Sequence, residues 1–184
     1  MAEASRGRRV LVAGIGNVFL ADDGFGPEVV AALRGRRLPE GVHAADFGIR
    51  GMDLAYRLLG GYDAAVLVDA TPRGGAPGTL YVIEPDPADE AGPAAPEAHG
   101  MDPVKVLALA RSLGREEDLP LPRVLVLGCE PLVRMRGDEP DVAVGLSGPV
   151  RCAVGEAVRQ VEQLAAGLLI DPAVRPEAAP APPG

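Results

Sequence analysis

The chain has 184 residues, 47% of them apolar but only 3% aromatic, and a formal net charge of −8. That length and apolar content suit one packed core, while the negative charge speaks against a nucleic-acid partner, which needs clustered Lys and Arg. No apolar run reaches the ~18 residues of a membrane-spanning helix, and the polar segment 1–9 lacks the apolar centre of a signal peptide, so the expectation is a cytoplasmic protein with no membrane partner.

Residues 9–13 read as a first strand that runs into the glycine turn Gly14-Ile15-Gly16-Asn17. A short loop then delivers the adjacent acids Asp22 and Asp23. The first helix is expected to start with Pro27 at its first position and to end near residue 35, and its positive end lies a few residues after Asp23. Residues 42–47 form a second strand, closed by Asp46-Phe47-Gly48-Ile49-Arg50-Gly51, and a helix follows over 52–59. Residues 64–68 are almost wholly apolar, which places a third strand at the sheet centre, ending in Asp69. The turn-rich segment 71–78 leads into a fourth strand at 79–83. It is expected at an edge and antiparallel, since so short a connection cannot carry a parallel crossover.

Residues 84–96 are rich in Pro, Ala and acids and read as a surface loop, followed by Glu97-Ala98-His99-Gly100. Asp102 and Pro103 have the character of an N-cap and first helical residue for a helix over 102–113. A fifth strand at 123–127 and a loop over 130–144 precede the last helix. There Val150, Val154, Ala157, Val158, Val161 and Leu164 recur at helical spacing. Residues 171–184 are Pro- and Ala-rich, and disorder is expected. Strands and helices that alternate in this way predict a single α/β domain over 1–170. Its form is a three-layer sandwich, with a mostly parallel sheet of about five strands and helices on both faces.

In such sheets ligand sites lie at the carboxyl ends of strands. Asp22 and Asp23, Asp46, Asp69 and His99 all follow strand or loop ends, and carboxylates with an imidazole suit a divalent metal such as zinc or nickel. Each also has a plainer reading as a cap, a turn residue or an exposed loop residue. Asp69 is the hardest to dismiss, because a buried carboxylate needs a partner. His43, the other histidine, lies at the start of the second strand, away from the acids. The Gly14-x-Gly16 turn invites a dinucleotide reading, with Asp46 where a ribose-binding acid sits. Phe19 stands where the third glycine belongs, and the acid pair would repel a pyrophosphate. None of the three serines lies in a G-x-S-x-G elbow. Cys129 and Cys152 read as free, buried small residues without the context of an activated thiolate.

The ordered set Gly14-Ile15-Gly16-Asn17, Asp22-Asp23-Gly24-Phe25-Gly26, Asp46 to Gly51, Val66-Leu67-Val68-Asp69-Ala70, Pro77-Gly78-Thr79, His99-Gly100 and Gly128-Cys129-Glu130-Pro131 resembles the hydrogenase maturation proteases. The resemblance spans residues 9–169. It implies a single-domain α/β endopeptidase that removes the C-terminal extension from the large-subunit precursor of a nickel-iron hydrogenase. By motif position it places the metal contacts on Asp23, Asp69 and His99. The resemblance does not assign the group that activates water; the expectation from the chemistry is a water polarised by the bound metal, with Asp46 or Asp22 as a helper base. The metal would be nickel, carried by the precursor rather than resident in the protease. There are two departures: Asp23 stands where the family commonly has Glu, one methylene longer, so its loop must come closer to ligate, and Asp46-Phe47-Gly48-Ile49 stands where the family often has Asp-Gly-Gly-Thr, which points to a distinct subgroup. A monomer is expected. The rival readings are a non-catalytic, nickel-dependent checkpoint protein that binds the precursor and, further off, a nucleotide-binding oxidoreductase.

Overall fold

The computed structural model describes residues 7–86 and 102–175. The expectations for His99, for most of the 84–96 loop and for the tail beyond residue 175 fall outside the described residues. The strands are β1 (Val10–Ile15), β2 (Val42–Gly48), β3 (Ala64–Ala70), β4 (Leu80–Ile83) and β5 (Arg123–Cys129). The helices are α1 (Phe25–Leu33), α2 (Gly51–Leu58), α3 (Pro103–Glu117) and α4 (Gly148–Ile170). They form one five-stranded sheet in the order β2-β1-β3-β5-β4, parallel except for the edge strand β4.

Every residue of β1 is buried, as are all but the last of β3 and all but the first of β5. Their Val, Leu and Ala runs face helices on both sides, as a parallel sheet requires. Alternate residues feed two cores. Val10, Val12, Val66, Val68, Leu125 and Leu127 pack with α1 and α4 through Phe25, Val29, Val150, Ala157 and Val161. Leu11, Ala13, Ala65, Leu67, Val124 and Val126 pack with α2 and α3 through Leu54, Leu58, Val106, Leu107 and Ala110. Each fully buried Leu or Val is worth ~2 kcal/mol, so the sheet is held from both faces.

The element boundaries shift by a few residues from their sequence-based positions, and one loop gains structure. Asp22 and Asp23 lie not in an irregular loop but in a 3-10 turn, Ala21–Gly24, that leads directly into α1. Asp102 caps α3 as expected, its Oδ1 accepting the Val104 N–H at 2.8 Å. The cysteines part company: Cys129 is buried, but Cys152 is exposed on α4. Helical spacing placed Cys152 one residue before the buried Ala153, on the wet side of the amphipathic stripe. The expectation of a buried Cys152 is therefore corrected.

Candidate active site

β1 and β3 are neighbours, and their connections leave toward opposite edges of the sheet, β1 to β2 on one side and β3 to β4, beyond β5, on the other. This is the switch point at which open α/β sheets form their crevice. Gly14 pairs with Val68 across it, so Asp69 stands one residue past the last β1–β3 pair. The 3-10 turn brings Asp23 to the same place. Two glycines make that close approach possible. A Cβ on Gly26 would lie 2.2 Å from the Val68 carbonyl oxygen and 2.3 Å from that of Ile15, so only glycine lets the start of α1 seat against the strand ends. Gly16 has φ +132°, and a Cβ there would lie 1.8 Å from the Asp23 carbonyl oxygen. The space over the Gly14-x-Gly16 turn is thus filled by the chain's own backbone, where a dinucleotide pyrophosphate would need to sit.

Asp23 and Asp69 line one cleft of about 420 Å3, together with Thr71, Pro72, Asp102 and Arg134. Asp69 is only 6% exposed. Burial, then the Asp23 charge, push its carboxyl well above the ordinary range; the Ala70 N–H opposes this and Asp102 adds to it. Burial also raises Asp23, against the pull of the Asn17 N–H that donates to its Oδ2 at 2.7 Å. Two crowded, partly desolvated carboxylates lower each other's affinity for negative charge and raise it for a cation. Their hard oxygen donors fit a divalent metal ion. Among the described residues no three His, Cys, Asp or Glu side chains form a metal-binding group, and His99 lies outside them.

The neighbouring acids do other work. Asp22 is fully buried. Its Oδ2 accepts the Leu132 and Val133 amides at 2.9 and 2.8 Å and the Ser147 hydroxyl at 2.9 Å, and its Oδ1 accepts the Ser147 amide at 2.7 Å. Burial alone would raise its carboxyl; these donors outweigh that and hold it below the ordinary value. Asp22 therefore clasps both ends of the segment between β5 and α4, and is saturated. Asp46 pairs with Gly14 across β1 and β2, and its Oδ1 accepts the Gly48 N–H at 2.8 Å, closing its own turn. It does not line the cleft of Asp23 and Asp69. His43 is exposed near the opposite edge, its Nδ1 3.2 Å from the Tyr62 hydroxyl.

Two contributors carry no sequence-based role. Glu130 is 5% exposed and accepts from the Arg73 amide at 2.8 Å, the Gly74 amide at 3.2 Å and the Tyr81 hydroxyl at 2.9 Å. It braces the turn after Thr71 and Pro72, which form a wall of the cleft. Arg134 comes from the loop that Asp22 clasps. The Gly128-Cys129-Glu130-Pro131 motif past β5 was the available signal for Glu130; nothing local marked Arg134. Burial, with the Asp22 and Glu130 charges, pushes the Cys129 thiol up to about 12, which removes it as a nucleophile.

The profile of the hydrogenase maturation protease family matches residues 27–164. The chain is 30% identical over 177 residues to the hydrogenase expression/formation protein HupD of Rhizobium leguminosarum bv. viciae, covering 95% of this chain and 83% of that one. It is 33% identical over 156 residues to a putative hydrogenase maturation protease of Methanocaldococcus jannaschii, covering 81% and 91%. Among solved structures, the hydrogenase maturating endopeptidase HybD of E. coli superposes with a TM-score of 0.64 at 27% identity, covering 87% of this chain and 91% of that one. The profile match, the relatives at similar length and the shared sheet agree with the paired carboxylates at the switch point, and the chain belongs to the hydrogenase maturation protease family.

Proposed function

We propose that this chain removes the C-terminal extension from the large-subunit precursor of a nickel-iron hydrogenase after nickel insertion, and that it recognises the inserted nickel through Asp23, Asp69 and His99. The observation that carries the reading is the buried Asp69 carboxylate, sharing one cleft with Asp23 at the switch point and raised by burial and by its neighbour. Such a pair is electrostatically incomplete until a cation arrives. A nickel ion already held by the precursor supplies that charge as part of the substrate, so a precursor without metal is not engaged. Oxygen and imidazole donors hold nickel less strongly than the soft thiolates of a precursor site, which keeps the metal with the substrate.

The helper base is reassigned within this proposal. Asp22 has four donors on its carboxylate, and Asp46, which accepts from its own turn, does not line the cleft. Asp23 lines the cleft and, among the described residues, accepts one hydrogen bond, from the Asn17 amide, which leaves lone pairs to take a proton from the attacking water.

The test is a processing assay with nickel-loaded and nickel-free precursor, read by the mass of the large subunit. Shortening of the loaded form alone is expected. Asp23→Ala, Asp69→Ala and His99→Ala should each abolish shortening with circular dichroism unchanged, and full activity in two of the three would overturn the triad. A wild-type protein that binds loaded precursor without shortening it would be a checkpoint protein instead.

A further inference from the structure

We infer that a ridge of exposed apolar side chains beside the cleft is a docking surface for the folded body of the precursor, separate from the segment that is cut. The inference rests on the proposed function. The ridge begins on the segment between β1 and the 3-10 turn, where Val18 and Phe19 are 41% and 66% exposed. It continues after β2 with Ile49 at 59%, and along α2 with Met52 and Tyr56 at 52% and 53%. Met52 and Tyr56 are four residues apart on one helix and so share a face. The two segments abut, because the Gly16 N–H donates to the Gly48 carbonyl at 3.0 Å. Asp23 holds the first of them through the Asn17 amide, and Asp46 closes the second. The ridge is therefore built on the same loops as the candidate site.

Among the described residues the other exposed large apolar side chains form two groups. Leu132, Val142 and Val144 lie on the segment between β5 and α4, at the same carboxyl edge, where the Ala21 N–H donates to the Ala143 carbonyl at 2.9 Å. Leu119, Ile170 and Val174 sit at the other edge of the sheet: Leu119 follows α3, Ile170 ends α4, and the Val174 carbonyl accepts from Arg123 at the start of β5. Contiguous exposed apolar surface marks an interaction site where scattered single residues do not.

The occupant follows from the substrate's chemistry. A cleft of about 420 Å3 accommodates a ligand of small-molecule size, enough for a few residues around the scissile bond. A nickel ion held by the precursor's own ligands lies in folded protein, so the protease must meet a folded surface around it. Stable recognition of a folded partner takes ~800 Å2 on each side, with aromatic and Met side chains enriched in the contact. Phe19, Met52 and Tyr56 are residues of that kind, and Phe19 lies two residues past Asn17, whose amide donates to Asp23 of the cleft.

The experiment compares processing of nickel-loaded precursor by wild type, Phe19→Asp, Met52→Asp and Ile170→Asp across a range of precursor concentrations. Thermal unfolding of each variant is measured alongside. The two ridge variants should need ~10-fold more precursor for half-maximal rate, more than most interface side chains contribute, with the maximal rate and unfolding temperature little changed. Ile170→Asp should match wild type. Ridge variants that process dilute precursor as fast as wild type would overturn the docking surface and leave the protease reading intact. So would wild-type protein sedimenting as a dimer that Phe19→Asp dissociates, because the ridge would then face a second copy. No shortening by wild type at any concentration would overturn the protease reading and the docking surface together.

Discussion

Three neighbouring carboxylates show how environment divides one residue type into different roles. Asp22 and Asp69 are both buried, yet their titrations move in opposite directions. Asp22 gathers four donors and is held low; Asp69 has burial and the nearby Asp23 charge against it and is raised well above the ordinary value. The stability consequences have opposite signs. A lowered carboxyl contributes stability above its unfolded value of 3.8 that is lost as pH falls through its lower folded value. A raised carboxyl contributes stability only while protonated, and that contribution is lost as pH climbs from 3.8 through the higher folded value. Asp69→Asn should therefore raise the unfolding temperature of the metal-free protein at neutral pH, by ~2 °C or more, while abolishing processing. A calorimetric scan showing it less stable than wild type at neutral pH would contradict the assignment of Asp69 as a strained carboxylate. Asp22→Ala leaves three amides and a hydroxyl without their acceptor and should cost ~3 kcal/mol in a urea titration.

At the scale of elements, the site depends on how closely α1 approaches the sheet. Gly26 seats the helix against the ends of β1 and β3, and the turn bearing Asp23 comes with it. Gly26→Ala must push the helix away from the Val68 and Ile15 carbonyls, at a cost of ~1–3 kcal/mol by the measure of overpacked interiors. Processing should fall further than that loss of stability explains, since Asp23 moves with the helix. Glu130 does for the segment after β3 what Asp22 does for the segment after β5. Glu130→Gln keeps one acceptor oxygen, for the Arg73 amide and Tyr81 hydroxyl that share Oε2, gives up only the longer bond from the Gly74 amide to Oε1, and should retain most activity. Glu130→Ala should lose most of it, with exchange of the Arg73 and Gly74 amides against deuterium accelerated. Equal activity in the two variants would show that the brace does not shape the cleft.

At the scale of the molecule, the sheet is polarised. Its carboxyl edge collects Asp23, Asp69, Arg134 and the apolar ridge; its other edge carries His43, exposed beside Tyr62. His43→Ala should leave processing of the precursor within about twofold of wild type, the range of an ordinary surface substitution, and a large loss would place the chemistry at the wrong edge. No helix among the described residues is long and apolar enough to cross a membrane.

The alternation of apolar strands and amphipathic helices, the central place of β3, the antiparallel edge strand β4 and the cap at Asp102 were all legible in the sequence. Each follows from local periodicity, connection length or capping chemistry. The ordered motifs likewise carried the family, and Asp23 and Asp69 as a pair. What only the tertiary structure decided was the division of labour among the acids. Asp22 and Asp23 are adjacent in sequence and chemically identical. One turns toward amides from 110 and 125 residues away, the other into the cleft, and no local pattern distinguishes them. The same holds for Asp46, Glu130, Arg134 and the wet side of Cys152. A side chain's role depends on which distant backbone donors, charges and solvent reach it, and these are set by packing between elements rather than by the sequence around the residue.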